Sequence, residues 1–334
     1  MQRRQVLAAL GVLLPAGCLG AKQSDSSGGV RTEGGSSGTA RPTDTPTPTP
    51  EPTPEPTETP EPGPSDEKIE AGDEAISQVQ SEFAAAVEAY TGDDDDALTE
   101  VSVTGTDFDV RSVLLALDTV QRELVTAESA AVTDEQRETV ADLQVAEQFL
   151  TQSALVHSYF VESADRLDAT HSALSADVDD IDDVEDELED ADSRFESTLD
   201  RGSEGVSTIK NDIEPDPVAA AEPFDDETYD DTVSMFESVR SAFDDAASGL
   251  NRMIQGLDEL SEAQDDQDDG DDSDAEDKAD EARELFDEAY DFFDDAADTA
   301  GDLDADDLED LLEDLRAVAD DRYTEADDLY DDVS

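Results

Sequence analysis

From residue 65 to the C-terminus, apolar residues recur at alternating steps of three and four positions. This spacing places them on one face of an α-helix. Gly92 follows the first stripe, and glycine commonly ends a helix. Thr133 and Gln136 have the spacing of a capping box, which predicts the start of a later helix. The apolar positions of the first stripe are Ile69, Gly72, Ile76, Val79, Phe83, Ala86 and Tyr90.

The stripes are narrow and their outward faces are acidic. Narrow apolar faces are typical of long helices that pack in a coiled-coil manner. The pattern therefore predicts an all-α fold, a bundle of about six or seven long amphipathic antiparallel helices. Prolines between residues 215 and 223 separate helical regions 65–213 and 226–334, unless the two form one continuous domain. Gly202 and Gly205 predict a helix end inside the first region.

A stalk is predicted upstream of the helices. Residues 19–41 are rich in Gly and Ser, a composition typical of flexible coil. Residues 42–64 contain most of the chain's 14 prolines, alternating with Thr and Glu. Proline-rich sequence favours extended polyproline II. We therefore expect residues 18–64 to be a disordered stalk.

Residues 1–17 have the layout of a processing signal. A basic start is followed by an apolar run at Val6–Leu14 and by small residues before Cys18. The run is shorter than the approximately 20 residues that a membrane-spanning helix needs. Removal of residues 1–17 is therefore expected.

Two short motifs refine this prediction. Arg3 and Arg4, followed after one spacer by an apolar pair, resemble the twin-arginine export motif. Ala16–Cys18 resembles a lipobox, although Pro15 stands where Leu is usual. The resemblance implies export in a folded state, a lipid on Cys18, and a location on the extracellular side of the cell membrane.

The charge of the chain is the next constraint. Asp and Glu total 94 residues, Lys and Arg total 19, and the net charge is −75. Such a chain repels itself in dilute buffer, whereas at about 1 M salt the Debye length falls to about 3 Å. With the N-terminal motifs, this composition resembles haloarchaeal twin-arginine-exported lipoproteins. An acidic disordered chain is the alternative, and the regular apolar spacing argues against it.

The charge also constrains the partners. Phosphate binding needs clustered Lys and Arg, so nucleic acid is not expected as a partner. Cations are the expected counterions. The membrane, reached through the lipid on Cys18, and other envelope proteins are the remaining candidates.

One acidic segment resembles a calcium-binding loop. Calcium loops place oxygen ligands at positions 1, 3, 5, 7, 9 and 12, with glycine at position 6 for the turn. Gly270 has the place of that glycine. The alternative is a solvated acidic linker in which Ser273 and Glu276 cap the next helix. The candidate ligands are Asp265, Gln267, Asp269, Asp271, Ser273 and Glu276.

The two histidines, His157 and His171, lie on the apolar stripe of one predicted helix. Fourteen residues separate them, about 21 Å along a helix, so they cannot chelate one ion together. We expect buried, hydrogen-bonded structural histidines. A pH switch or a metal ligand completed by another helix is the alternative.

Catalytic motifs with recognisable spacing are missing from the sequence, and 94 carboxylates make any acidic pair uninformative. We therefore expect a non-enzymatic protein without a cofactor, with a structural or protein-binding role at the cell surface. Calcium or small-ligand binding through residues 265–276 is the alternative. An enzyme of unknown class is the third possibility.

Overall fold

The structure is a computed structural model that describes residues 63–92, 97–104, 108–174, 181–303 and 305–334. The predicted signal and nearly all of the predicted stalk lie outside these residues. The described residues belong to one compact unit. No helix in the described part of the chain is long and apolar enough to cross a membrane.

The prediction of an all-α fold is confirmed, and the described residues contain no strand. Seven long helices and one short helix succeed one another in the part of the chain that the structure describes. A 3-10 turn at Leu98–Glu100 lies between the first two helices. The helices are α1 Asp66–Thr91, α2 Val110–Ala130, α3 Asp134–Leu174, α4 Ile181–Asp212, α5 Pro215–Ala219, α6 Thr228–Asp269, α7 Asp272–Asp302 and α8 Asp306–Val333.

The apolar stripes form the core. In α1 the predicted positions from Gly72 to Tyr90 are buried, and Gly92 ends the helix with a positive φ of 85°. Apolar residues of both helical regions contribute to one continuous core. Alanine and aromatic side chains fill much of the seam between α6 and α7.

Helix α3 packs against α1, α2, α4, α5 and α6 and is buried on more than one face. The predicted capping box starts it: Gln136 N–H donates to Thr133 Oγ1 at 3.1 Å, and Thr133 N–H donates to Gln136 Oε1 at 3.2 Å. The Gln136 side-chain amide also donates to Ile69 O at 2.8 Å and to Asp73 Oδ1 at 2.7 Å. One side chain thus caps α3 and fixes it beside α1.

The predicted helix end at Gly202 and Gly205 is wrong. Both glycines lie inside α4, which continues to Asp212. A Cβ atom on Gly202 would lie 2.8 Å from the Phe160 ring, and one on Gly205 would lie 2.5 Å from Val156. The glycines are needed for close approach of α4 to α3, because any larger residue would meet these buried side chains.

Helices α6, α7 and α8 form an antiparallel three-helix unit. The seam between α6 and α7 also contains glycines that face buried rings, with Phe293 over Gly249 and Phe286 over Gly256. Both phenylalanines are fully buried. Each pair is displaced from the next by seven residues on both helices, which is the heptad spacing of coiled-coil packing.

Several cationic side chains form ion pairs between helices, whereas others pair within one helix. Lys278 of α7 forms ion pairs with Glu259 and Glu262 of α6. Lys210 of α4 pairs with Glu237 of α6. Further bridges join Arg252 to Glu288, Arg283 to Asp327, and Arg316 to Asp294.

Candidate functional site

The acidic segment predicted to bind calcium is not a loop. Asp265, Gln267 and Asp269 lie in the last turns of α6, while Ser273 and Glu276 lie in α7. Only Gly270 and Asp271 connect the two helices, and Gly270 has a positive φ of 82°. The predicted twelve-residue loop is therefore corrected to a two-residue turn.

The physical reason is a glycine-based helix end. Gly270 N–H donates to Gln267 O at 3.1 Å, and Asp271 N–H donates to Asp266 O at 2.9 Å. These bonds satisfy the last carbonyls of α6 and let acidic residues remain helical almost to the turn. Successive helical side chains point in different directions, so the six candidate ligands do not surround one point.

No group of three or more His, Cys, Asp or Glu side chains suited to a metal ion occurs among the residues that the structure describes. The predicted cap by Ser273 is also wrong, because α7 begins at Asp272, and Asp271 precedes it without a side-chain capping bond. Calcium binding itself stays a prediction. Calorimetric titration of the full chain with calcium at high salt tests it.

His157 lies in the core, as predicted, and both ring nitrogens have partners. Nε2 lies 3.0 Å from the carbonyl oxygen of Ser102 and donates to it, because a carbonyl can only accept. Nδ1 therefore accepts, and the Tyr90 hydroxyl donates to it at 3.2 Å. The chain of hydrogen bonds joins α1, α3 and the segment 97–104.

The surroundings of His157 are aromatic. Phe108 lies 4.3 Å from the imidazole, centroid to centroid, and Tyr90 and Phe236 lie at 5.6 and 6.5 Å. Burial lowers the pKa of His157 to about 4, although the hydrogen bond to Ser102 partly opposes this shift. Burial also raises the pKa of Tyr90. At neutral pH the pair is uncharged and positions the segment 97–104.

His171 differs from the prediction, because it is only half-buried near the end of α3. The apolar stripe narrows there, and the sequence pattern alone did not separate the two histidines. The hydrogen bonds described above support the predicted structural role of His157.

Two clefts flank the segment 97–104, a feature that the spacing of apolar residues does not predict. One has a volume of about 340 Å³ and is lined by Pro223, Asp225 and Thr228 among others. The other, of about 370 Å³, is lined by Val101, Val103 and residues of α6 and the α7–α8 turn. The buried side chains of Leu98 and Val103 anchor the segment 97–104 between the two clefts.

The carboxylate of Asp225 in the first cleft is occupied by the start of α6. Its Oδ1 accepts from Glu227 N–H at 3.2 Å and from Thr228 N–H and Oγ1 at 2.9 and 2.7 Å. The side-chain and backbone hydrogen bonds from Thr228 lower its pKa. Its role is that of a helix cap, since its acceptor oxygen is used locally.

No protein-family model, curated protein or solved structure matches this chain. The function is therefore inferred from the residues and contacts of the chain itself.

Proposed function

We propose that the protein is a lipid-anchored, cell-surface helical module of a halophilic archaeal envelope, with a structural or protein-binding role. The observation on which this depends is that Arg3, Arg4 and Cys18 resemble export and lipidation motifs, and that a helical body follows a proline-rich segment. The 42 residues of α6 extend about 63 Å at 1.5 Å per residue. Such helices project a surface without needing a catalytic cavity.

The use of the reactive side chains supports a non-catalytic role. His157 and Tyr90 hydrogen-bond to each other, and His157 also bonds to Ser102, inside the core. A general base must reach a substrate proton, and this imidazole is fully buried. These two side chains thus contribute to the stability of the core.

Helix α2 offers a surface for a partner protein. Leu115 and Val125 are the large apolar side chains that remain exposed in the described part of the chain, at 61% and 64%. Steps of three, four and three residues put them on the same helix face as the ion pair of Asp118 with Arg122. A mixed apolar and charged stripe fits a protein surface better than a small solute.

Location is tested in the native host with the full chain carrying Cys18→Ser or the double change Arg3→Lys and Arg4→Lys. Wild type is expected in the membrane fraction and accessible to external protease. Cys18→Ser should release the protein to the medium, and the double lysine variant should remain inside the cell. Equal membrane retention of wild type and Cys18→Ser contradicts the anchor.

Protein binding is tested by site-specific cross-linking. Cys18 is the only cysteine in the sequence and the proposed lipid site, so a cysteine introduced at Leu115 is a unique thiol for a photoreactive maleimide. Asp328→Cys, at an exposed position of α8, is the matched control. A discrete cross-linked product from Leu115→Cys alone supports a binding face on α2. Identical patterns from both positions contradict it.

A further inference from the structure

A small cavity of about 130 Å³ lies between α7 and α8. The buried ring of Phe286, the half-buried rings of Tyr290 and Tyr323, and the exposed residues Asp287 and Asp320 line it. Aromatic rings therefore meet carboxylates around a space comparable to that of about four water molecules at about 30 Å³ each.

Both tyrosine rings already contact a cation outside the cavity. The Arg283 guanidinium carbon lies 5.6 Å from the Tyr323 ring centroid and 4.9 Å from that of Tyr330. The Arg316 guanidinium carbon lies 5.7 Å from the Tyr290 centroid. These are cation–π distances.

The two arginines lie at opposite ends of the cavity. Arg283 precedes Asp287 by one turn of α7, and Arg316 precedes Asp320 by one turn of the antiparallel α8. Rings and cations thus alternate along the groove, except between Tyr323 and Tyr290, where the cavity lies. The order along the groove is Tyr330, Arg283, Tyr323, cavity, Tyr290, Arg316.

Charge along this row is unbalanced at the same point. Asp280 and Asp327 pair with Arg283 at 3.3 and 3.0 Å. Arg316 likewise has two carboxylate partners, on Asp294 and Glu313.

The two carboxylates that line the cavity, on Asp287 and Asp320, have no ion pair within the described ranges. The interval of the row without a cation of the chain therefore also has carboxylates that no side-chain cation neutralises.

We propose that this cavity binds an organic ammonium ion, with a trimethylammonium group as its best occupant, between the rings of Tyr290 and Tyr323. Ring faces attract a weakly hydrated cation through their quadrupole. Asp287 and Asp320 supply the countercharge. This site rests only on α7 and α8 and is independent of the proposed anchoring and protein-binding role.

The direct test is a titration of the full chain with choline chloride, observed by fluorine NMR after incorporation of 3-fluorotyrosine. The chain has six tyrosines, and single Tyr→Phe variants assign their signals. Potassium chloride at about 2 M suppresses general attraction to the polyanion, because the Debye length is then only a few ångströms. A saturable shift confined to the signals of Tyr290 and Tyr323 is expected.

The neutral isostere 3,3-dimethylbutan-1-ol separates charge from shape. It should produce no saturable shift at concentrations at which choline saturates the site. A flat choline titration, or equal binding of the alcohol, overturns the proposal on the wild-type protein, without reliance on any variant.

Variants then locate the site. Tyr290→Leu and Tyr323→Leu should each weaken choline binding about fivefold, which is about 1 kcal/mol at 1.4 kcal/mol per factor of ten. Tyr290→Phe retains the ring and should retain affinity. Tyr330→Leu removes a ring that contacts Arg283 outside the cavity, so it is the matched control with unchanged affinity. Wild-type affinity in Tyr290→Leu refutes the assignment.

Discussion

Helices α6 and α7 approach each other closely at Gly256. The methyl group added by Gly256→Ala should favour the helix but clash with the ring of Phe286. A Cβ atom on Gly256 would lie 2.6 Å from Cε1 of Phe286 and 2.9 Å from its Cδ1 and Cζ. Ordinary carbon contacts are about 3.5–4.0 Å. The Phe286 ring is fully buried, so it must shift by about 1 Å against a packed core.

The relative sizes of the propensity gain and the steric cost decide whether Gly256→Ala is more or less stable than wild type. Replacing glycine by alanine in an open helix stabilises by about 1 kcal/mol. Overpacking a filled core costs about 1–3 kcal/mol. We expect Gly256→Ala to lower the free energy of unfolding by about 1 kcal/mol, since the larger steric cost exceeds the propensity gain.

A double-mutant cycle with Phe286→Leu isolates the contact. Urea unfolding is followed by circular dichroism at a fixed salt concentration of about 2 M, where charge repulsion is strongly screened. The smaller side chain leaves room for the new methyl group, so the two changes should couple favourably by about 1 kcal/mol.

Gly249→Ala is the matched control for this cycle. It makes the same substitution in the same helix, but Gly249 lies against Phe293, two turns from Phe286. Its effect should add to that of Phe286→Leu within about 0.5 kcal/mol. If Gly256→Ala raises stability, or if its effect is additive with Phe286→Leu, close ring-over-glycine packing is refuted.

Three further predictions concern charge and protons. Burial lowers the pKa of His157 to about 4 in the folded protein, against about 6.5 in the unfolded chain. The contribution of neutral His157 to the free energy of unfolding is therefore fully present above about pH 6.5 and decreases as the pH falls towards 4. In urea titrations, the stability advantage of wild type over His157→Gln should shrink by about 3 kcal/mol across that range. Burial and nearby Glu196 raise the pKa of Asp192 to about 6, so the charged carboxylate destabilises the fold above that pH and the effect vanishes in acid. Asp192→Asn should therefore raise the free energy of unfolding by about 1 kcal/mol at about pH 8 and by less at about pH 5. An effect of this variant that does not depend on pH contradicts the prediction. The protein should lose helix content below about 0.5–1 M salt, and full helicity in dilute buffer contradicts this. Lys278→Gln should raise the salt concentration at the midpoint of this loss, because two glutamates lose their shared cation. An unchanged midpoint contradicts the role of Lys278.

The helices could be predicted from the sequence because one physical requirement, burial of an apolar stripe, repeats along the chain. Val79, Phe83 and Ala86 are buried as their spacing predicts. The capping box at Thr133 is a local interaction between residues three apart, so sequence also contains it in full.

Glycine was harder to interpret, because its meaning depends on residues far away in sequence. Gly92 ends a helix with a positive φ, whereas Gly202 lies inside one under the ring of Phe160. Gly270 is a second case, because it has the place of the turn glycine in a calcium loop but ends α6 with a positive φ. The row of tyrosines and arginines in α7 and α8 depends on which helices become neighbours, so spacing within one helix could not reveal it.

The placement of the cations explains how so acidic a chain brings its helices together. Acidic residues occupy the exposed faces, while alanine and aromatic residues fill the seam between α6 and α7. Repulsion between two helices is greatest where their acidic edges approach beside a seam, and it is at such edges that Lys278 and Arg316 each contact more than one carboxylate. A cation shared in this way reduces repulsion both along and between helices, and mobile salt can screen the charges that remain on the outer faces. Repulsion between the acidic helices is therefore reduced at short range by cationic side chains and at longer range by dissolved cations. The cavity between Tyr290 and Tyr323 lies where a cationic side chain of the protein does not reach.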